Sequence, residues 1–413
     1  MNTRLPRLFF CITPLLLLIT TSPSIFRFIF PGPSTAFSFL LILTSLITSF
    51  ASPRFKLTPW QRRFIYSLWL SASVEMILGS LFSNSIFLAN SLQVASVSFF
   101  MLQVFRIRDP RPFLIVLIFF SAVALLGCFS MLAAFVFKPA PFFSYDYSES
   151  GATYLVYATF TNAYDSYLTG IMRFAGFFDE TGNFSLYTTI ILVSSLTCKR
   201  IVSTARVSLI ILLLSTFFAL SFGYIIAILS FCSGYLSGIT LSKVNAISLN
   251  KRILYSSILA VLLVLLVSYL DTPITSYILS RFQPDSLYGE GTRFDLYKQD
   301  LSTFANSPLF GALSSGSLVR QNNIFSIPAR SGLVGSIFYY LPFATFSAYI
   351  LVSLKSVAMR TAVTFVLLSF FLHRPELNTP SLTLMFGLSL SLDPLSTYSD
   401  SESSNPSSAI VKG

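Results

Sequence analysis

Long apolar segments follow one another along almost the whole chain, and they constrain its fold more than any other feature of the sequence. Runs of roughly 17–25 apolar residues are long enough to cross a lipid bilayer as helices. Charged residues make up only 10% of the chain, whereas soluble proteins carry about a quarter. The sequence therefore excludes a soluble globular domain and predicts an all-α, polytopic membrane protein.

About twelve transmembrane helices are predicted, which places both termini on the same side of the membrane. The last two spans are short for a crossing and also fit a broken hairpin or a re-entrant pair. Residues 1–26 have the basic start and apolar run of a signal peptide, but the many later spans favour a retained first helix. The predicted spans are 8–26, 35–51, 64–83, 86–105, 113–137, 183–198, 206–221, 223–242, 253–270, 330–352, 361–372 and 380–392.

The basic residues are distributed asymmetrically between the two sides of this topology. With the N-terminus inside, 18 of the 27 Lys and Arg residues fall in cytoplasmic segments, as the positive-inside rule expects. The net charge of +11 therefore reflects membrane orientation, and nucleic acid is not an expected partner.

The transmembrane domain is predicted to cover residues 1–394, and two long outer loops within it, 138–182 and 271–329, hold most of the polar residues. Long loops in compact proteins usually carry function or are disordered. Residues 395–413 form a Ser-rich tail that is predicted to be cytoplasmic and disordered. Chemistry is therefore expected in the two outer loops.

Arg173 lies shortly before a predicted span, in the segment RFAGFFDETGNFSLY, and Asp179 and Glu180 follow it. An arginine and two acids at a membrane boundary fit a site for an anionic substrate, to which the start of the next helix, near Asn183, would add N–H donors. In the alternative interpretation, Arg173 pairs with one of the acids and caps that helix. Composition alone leaves both interpretations open.

Arg293 and Asp295 begin the stretch RFDLYKQDLSTFANS, which is predicted to form an amphipathic helix. A guanidinium group can bind a phosphate through two parallel hydrogen bonds. Arg293 and Arg173 together would therefore suit a lipid that carries a diphosphate, whereas the alternative is a solvated helix with ordinary ion pairs. The predicted apolar face of the helix consists of Phe294, Leu296/Tyr297, Leu301 and Phe304.

Three further residue patterns lie inside the predicted spans or at their ends. Glu75 lies in mid-span, where a carboxylate is costly; it fits a proton-coupling site in a transporter or a structural role with Ser and Asn partners. Gly234 and Gly238 form a GxxxG motif, which predicts close helix packing. The single histidine, His373, is expected to be structural, and no metal site is predicted.

Two segments resemble motifs of the Wzy-type polysaccharide polymerases, relatives of the O-antigen ligases. RFAGFFDETGNFSLY is similar to the family's R-x-x-G-[FI]-F-[DE]-E-P-G segment, with Thr181 in place of the usual proline. GTRFDLYKQDLSTFANSPLFG is similar to the family's arginine, aromatic-rich helix and P-L-x-G turn, with Leu313 where a second glycine is often found. The matching residues are Arg173, Gly176, Phe178, Asp179, Glu180 and Gly182 in the first segment, and Arg293, Pro308, Leu309 and Gly311 in the second.

A third segment, QNNIFSIPARSGLVGSIFYYL, resembles the region in which the ligases place His-Asn before a G-[LI]-x-G helix start. Gln321 stands at the histidine position, Asn322 follows it, and Gly332-Leu333-Val334-Gly335 keeps the spacing. Because glutamine cannot act as an acid, base or nucleophile, this departure favours a polymerase over a ligase.

The resemblance implies an all-α, C-type membrane glycosyltransferase fold in the inner membrane, with a large, partly helical periplasmic loop and an active site facing the periplasm. The implied reaction needs no metal or cofactor and transfers a growing glycan from undecaprenyl diphosphate onto the next lipid-linked repeat unit. The implied partners are the undecaprenyl-diphosphate-linked oligosaccharide, the bilayer and a chain-length regulator. The expected catalytic residues are Arg173, Glu180 and Arg293, and the expected substrate-binding residues are Asp179, Asp295, Arg281, Arg320, Gln321 and Asn322.

The loop Phe and Tyr side chains are expected to stack on sugar rings and to line a path for the lipid tail. Three other functions remain open from the sequence: an O-antigen ligase, a secondary transporter or flippase that uses Glu75, and a non-catalytic assembly scaffold.

Overall fold

The computed structural model of the protein is mostly helical. The predicted span 253–270, most of the span 35–51 and the tail 395–413 lie outside the residues that the structure describes. The described residues are 4–21, 40, 43–44, 47, 56–137, 140–147, 152–157, 162–165, 172–178, 181–217, 219, 221–243, 293–314, 324–373 and 377–392.

The helices of the described chain coincide with predicted spans over most of their lengths. They are α1 (Arg4–Thr21), α2 (Pro59–Leu81), α3 (Ser85–Ile107), α4 (Arg111–Phe137), α5 (Thr181–Ser195), α6 (Lys199–Thr204), α7 (Arg206–Phe217), α8 (Phe222–Lys243), α9 (Arg293–Asn306), α10 (Ser326–Ser353), α11 (Val357–His373) and α12 (Pro380–Leu390). The exceptions are the short α6 and α9, which lie between predicted spans.

Four of the described helices are long and apolar enough to cross a membrane: Pro59–Leu81, Phe87–Ile107, Arg111–Ala133 and Ser326–Ser353. Large apolar side chains remain exposed on them, as at Phe129 of α4, and exposed apolar surface of this kind suits contact with lipid. These features indicate a membrane-embedded protein. The other apolar helices of the described chain are shorter, so the expectation of about twelve crossings is not confirmed.

One end of the helical bundle is strongly basic and is called the basic end below. Arg108 donates a hydrogen bond of 2.9 Å to the Lys56 carbonyl, which joins the α3–α4 connection to the start of α2. The Trp60 and Tyr349 rings lie 6.3 Å apart and bring the end of α10 to the same place. The cationic residues of this end include Lys56, Arg62, Arg63, Arg106, Arg108, Arg111, Lys355 and Arg360. The opposite end, where α2 ends and α3 begins, is called the distal end.

A four-stranded antiparallel sheet forms in the first outer loop, where the sequence analysis predicts none. The strands follow chain order and are β1 (Phe143–Tyr147), β2 (Ala152–Val156), β3 (Asn162–Asp165) and β4 (Met172–Phe174). Aromatic residues alternate with small or polar ones in β1, which is the period-two pattern of a strand. The all-α expectation is therefore correct for the bundle and wrong for this loop.

The Phe174 side chain of β4 packs against α4. Phe174 is 1% exposed, and its ring lies so close to Gly127 that a Cβ atom there would be 2.0 Å from it. Gly127 belongs to the half of α4 that is remote from Arg111 and the basic end. Strand β4 therefore packs toward the distal end.

Helix α12 lies inside the bundle and not on its surface. Every residue from Pro380 to Leu390 is buried. Two of its serines bond to α5. Tyr187 donates to Ser381, and the Ser194 and Ser389 hydroxyls lie 2.6 Å apart. At about 1.5 Å per residue the helix is roughly 16 Å long, about half the thickness of the hydrocarbon core. The predicted last span is therefore an interior helix that does not cross the bilayer by itself.

The GxxxG motif packs two helices together, as predicted. A Cβ atom on Gly234 would lie 2.7 Å from the Cα of Ala362, and one on Gly238 would lie 2.4 Å from the Cα of Ala358. The α8 and α11 backbones thus approach each other across small residues on both helices, which is the usual arrangement at close helix crossings in membranes.

Replacing Gly238 by alanine is expected to lower the free energy of unfolding by about 1–3 kcal/mol, because the new methyl group meets backbone atoms that cannot rotate away. The measurement is the temperature at which half of the purified protein loses its monodisperse peak in size-exclusion chromatography. Leu236, on the same helix and 42% exposed, provides the control, and Leu236→Ala should shift this temperature much less. Equal shifts for the two variants would contradict the packing role.

Candidate functional site

The segment RFAGFF begins on the sheet and ends in the core. Arg173 pairs with Tyr164 in the β3–β4 register. Gly176 has a φ of +66°, a conformation that glycine adopts without strain, and Phe178 donates to the Ala175 carbonyl across the resulting turn at 3.2 Å. The turn directs the chain from the strand back toward α5.

The phenylalanines of this segment are packing residues, contrary to the expectation that they stack on sugars. Phe174, Phe177 and Phe178 are all buried. Phe177 and Phe178 stack at 4.3 Å, and the Phe178 ring lies 4.9 Å from that of Tyr187 on α5. Their rings are enclosed by other protein side chains and are not available to a substrate.

The amphipathic stretch of the second loop forms a helix, as predicted, but two residues of its predicted apolar face remain partly exposed. Tyr297 and Leu301 are 36% and 39% exposed, whereas Asp300 is 4% exposed. The Tyr297 ring packs edge-on against Phe325 at 5.1 Å, which joins α9 to the start of α10. Among the residues of α9 whose burial is described, the acidic side chain of Asp300 is therefore the most buried.

The P-L-x-G turn that follows α9 docks into an interruption of α10. Gly332 has a φ of 63° and a ψ of −169°, which breaks the helix at that residue. The N–H groups of Leu333 and Val334 donate to the carbonyls of Pro308 and Leu309 at 2.8 and 3.3 Å. Backbone donors that an uninterrupted helix would use internally are thus used to hold the turn.

Two glycines make this docking sterically feasible. A Cβ atom on Gly332 would lie 2.1 Å from the Leu309 carbonyl oxygen, and one on Gly311 would lie 2.5 Å from the Ala329 carbonyl oxygen. Gly311 also has a φ of +61°. The sequence analysis expects a helix start at Gly332, but α10 begins at Ser326 and is interrupted there. The segment that ends in the P-L-x-G turn and the segment that contains Gly332 therefore form one structural unit.

A buried polar cluster lies inside the bundle near the distal end, and Glu75 is its centre. Glu75 is 2% exposed and lies six residues before the end of α2, about 9 Å along the helix axis. Its two carboxylate oxygens accept hydrogen bonds from the side-chain amides of Asn90 at 2.6 Å and Asn378 at 3.1 Å. The Asn378 amide also donates to Ser71 at 2.8 Å.

Asn378 is a polar residue with unused hydrogen-bonding capacity. It is 1% exposed, and within the described residues its Oδ1 atom receives no hydrogen bond. A buried acceptor without a donor costs about 1–3 kcal/mol. The cluster therefore contains a buried hydrogen-bond acceptor that has no donor among the described residues.

Arg330 supplies positive charge to this cluster. Its guanidinium lies close enough to Glu75 to act on the charge of that carboxylate, and it lies over the rings of Phe87 at 4.8 Å and Tyr339 at 5.7 Å. Arg330 is half-buried, whereas Glu75 is fully buried. It also lies two residues before the helix interruption at Gly332.

Some of the expected site residues lie within the described part of the chain, and others lie outside it. The backbones of Arg173, Arg293 and Asp295 are placed in β4 and α9. Whether the two arginines converge on one ligand stays a prediction. The expected residues that lie outside the described chain are Asp179, Glu180, Arg281, Arg320, Gln321 and Asn322.

Sequence reasoning recognised Glu75 but missed Arg330, Asn90 and Asn378. Arg330 is the first residue of a predicted span, and a charged residue at that position is itself an indication of function. The two asparagines have no comparable signal, because Asn378 is 303 positions from the carboxylate that it contacts.

Comparison with known proteins adds no family assignment. No family model matches the chain, and a search of curated proteins finds no significantly similar sequence.

Proposed function

We propose that the protein is a polysaccharide polymerase that transfers a growing glycan from undecaprenyl diphosphate onto the next lipid-linked repeat unit at the outer face of the inner membrane. The observation that carries the proposal is the docking of the P-L-x-G turn onto the Gly332 interruption. Two segments selected from the sequence by resemblance alone meet there, at steric contacts that require their glycines.

The position of α9 and of the sheet at the distal end is consistent with this reaction. The Phe310 ring packs against Phe82, just beyond the end of α2, at 6.0 Å, so the α9 region lies at the distal end. The sheet that carries Arg173 packs toward the same end. The opposite, basic end has the charge of a cytoplasmic surface, which puts both loops on the outer side in this proposal.

The proposed mechanism follows from the charge of the leaving group. A hydroxyl at the non-reducing end of the incoming repeat unit attacks the anomeric carbon of the growing chain, and the bond from that carbon to the diphosphate oxygen breaks. Arg173 and Arg293 bind the diphosphate and stabilise the charge that develops on the departing oxygen. Glu180 or Asp179 accepts the proton of the attacking hydroxyl.

A secondary transporter or flippase is the second candidate function, and the Glu75 cluster favours it. Buried carboxylates within membrane spans often form ion or proton pathways, and an interrupted helix such as α10 is common beside transporter sites. Substrate uptake that depends on Glu75 and is unaffected by Arg293 substitutions would support this function over the polymerase.

Deletion of the gene is expected to leave lipid-linked single repeat units in the membrane, because units are still made but not joined. The measurement is the size distribution of the glycans released from the lipid fraction by mild acid. Restoration by the wild-type chain provides the control. Long lipid-linked polymer in the deletion strain would instead indicate a ligase, and repeat units confined to the inner leaflet would indicate a flippase.

A further inference from the structure

The P-L-x-G turn carries two large apolar side chains on the surface of the protein, although it lies between predicted spans. Leu309 is 56% exposed and Phe310 is 40% exposed. The backbone of the turn is held by the N–H groups of Leu333 and Val334 on α10, which fixes where these two side chains emerge. A contiguous apolar surface of this kind marks a contact with another molecule or with lipid.

The exposed side chains of the turn lie next to exposed apolar residues of two helices that are long and apolar enough to cross a membrane. On α10 the turn is held at Leu333, one helical turn before the exposed Ile337. On the other side the Phe310 ring packs against Phe82, which follows the exposed Leu81 at the end of α2. The apolar surface of the turn therefore continues the lipid-facing surfaces of α2 and α10.

The length of α2 gives the depth of the turn in the membrane. Arg63 is exposed near the start of α2, and a charged side chain at that level stays outside the hydrocarbon. Phe82 follows Arg63 by 19 residues, which is about 28 Å of helix, whereas the hydrocarbon core is about 30 Å thick. Phe82 and the Phe310 ring that packs against it therefore lie at the opposite hydrocarbon boundary, and any tilt of α2 brings them deeper.

Helix α9, which precedes the turn, limits this contact to the turn itself. Lys298 and Gln299 are exposed on α9, as is Asn306, its last residue. Charged and amide side chains are costly in hydrocarbon, so this side of α9 belongs in water or among lipid head groups. The transition from a polar to an apolar environment thus falls between Asn306 and Leu309.

We infer that Leu309 and Phe310 are inserted among the acyl chains of the leaflet at the distal end, and that phospholipid is the partner of the exposed side of the P-L-x-G turn. Helix α10 then holds the turn by its backbone, and the bilayer holds it by its side chains. The inference concerns membrane lipid and not the glycan substrate, and it applies equally to a polymerase and to a transporter.

The experiment places a nitroxide spin label on Leu309→Cys in the full-length protein. The background carries Cys128→Ala and Cys232→Ala, because these are the two cysteines that are not fully buried. The protein is reconstituted in liposomes of phosphatidylethanolamine and phosphatidylglycerol. Collisions of the label with oxygen, which concentrates in hydrocarbon, are compared with collisions with a water-soluble nickel chelate. Oxygen collisions should predominate, as they should for the same label on Ile337→Cys.

Gln299→Cys provides the matched control, because Gln299 lies on α9 and is exposed on its polar surface. Its label should collide preferentially with the nickel chelate. The same preference at Leu309→Cys would show that the turn lies in water and would overturn the inference. Few collisions with either reagent at Leu309→Cys would show that protein covers the turn, from a second copy or another part of the chain, and would also overturn it.

A second measurement tests whether lipid contact helps to hold the turn. Leu309→Ser is expected to raise the rate of proteinase K cleavage between α9 and α10 by about fivefold in the same liposomes, which corresponds to about 1 kcal/mol of lost apolar burial, since cleavage follows the population of the open form. Leu309→Trp should keep the wild-type rate, because tryptophan suits a membrane boundary. An unchanged rate in Leu309→Ser, or an equal increase in Leu309→Trp, would contradict the lipid contact.

Discussion

Replacing Arg293 by alanine is expected to lower the rate of polymer formation by about 10²–10³-fold, the usual cost of losing one preorganised donor to a developing negative charge. Arg293 is the first residue of α9, whose far end is fixed by the docked turn and whose middle is fixed by the Tyr297–Phe325 contact. Arg293→Lys keeps the charge but not the two parallel donors, and we expect at least a tenfold loss. The measurement is the length distribution of the polymer made by the deletion strain carrying each variant.

Lys298 is the matched control for this prediction. It lies on the same helix, carries the same charge and is exposed. Lys298→Ala should therefore give polymer of normal length at the same protein level. Full-length polymer from normally expressed Arg293→Ala would remove Arg293 from the mechanism and the polymerase proposal with it.

Replacing Gly332 by alanine is expected to lower the free energy of unfolding by about 3–5 kcal/mol, from two costs that add. A left-handed backbone conformation is unfavourable for alanine, and the new methyl group would overlap the Leu309 carbonyl oxygen. The turn can avoid the overlap only by leaving its site. The measurement is the thermal unfolding of the purified protein, together with protease sensitivity after α9.

The Leu333→Ala variant tests whether the loss of stability is specific to the backbone contact at Gly332. It is the next residue along the helix and is 52% exposed, so Leu333→Ala should change stability by less than about 1 kcal/mol. A Gly332→Ala protein with the thermal stability of Leu333→Ala and an intact protease pattern would show that the turn does not depend on this contact.

The helices of the bundle could be predicted from the sequence because membrane spans depend on local composition. The predicted span 113–137 and the observed α4 agree to within two residues at the start and end at the same residue. The existence of α9 was equally predictable from its amphipathic pattern. Its buried side was not, because the partner surface that encloses Asp300 comes from other parts of the chain.

The interruption at Gly332 illustrates what a local pattern cannot supply. Ser326 to Arg330 are compatible with a helix, but the sequence does not show whether the helix starts at the glycine or passes through it. The distortion arises from the turn at Pro308–Gly311, which is about twenty residues away in the sequence and in direct contact in space. The sheet of the first loop was missed for a similar reason, since short strands depend on neighbours for their hydrogen bonds.

The influence of Arg330 on the charge of Glu75 was the least predictable of these features. The residues lie on α10 and α2, and their association follows from the packing of these two helices. A sequence analysis can identify each charge as unusual for a span, as it did for Glu75. Which charges are neighbours is decided by the tertiary fold.

The complete enclosure of α12 has a consequence for the biogenesis of the protein. A helix with no lipid-facing side gains its stability from the helices around it, and two of its serines, Ser381 and Ser389, bond to side chains of α5. Because α12 follows the other described helices in the sequence, it leaves the ribosome after them. If the helices insert into the membrane in chain order, α12 therefore packs among neighbouring helices that are already inserted.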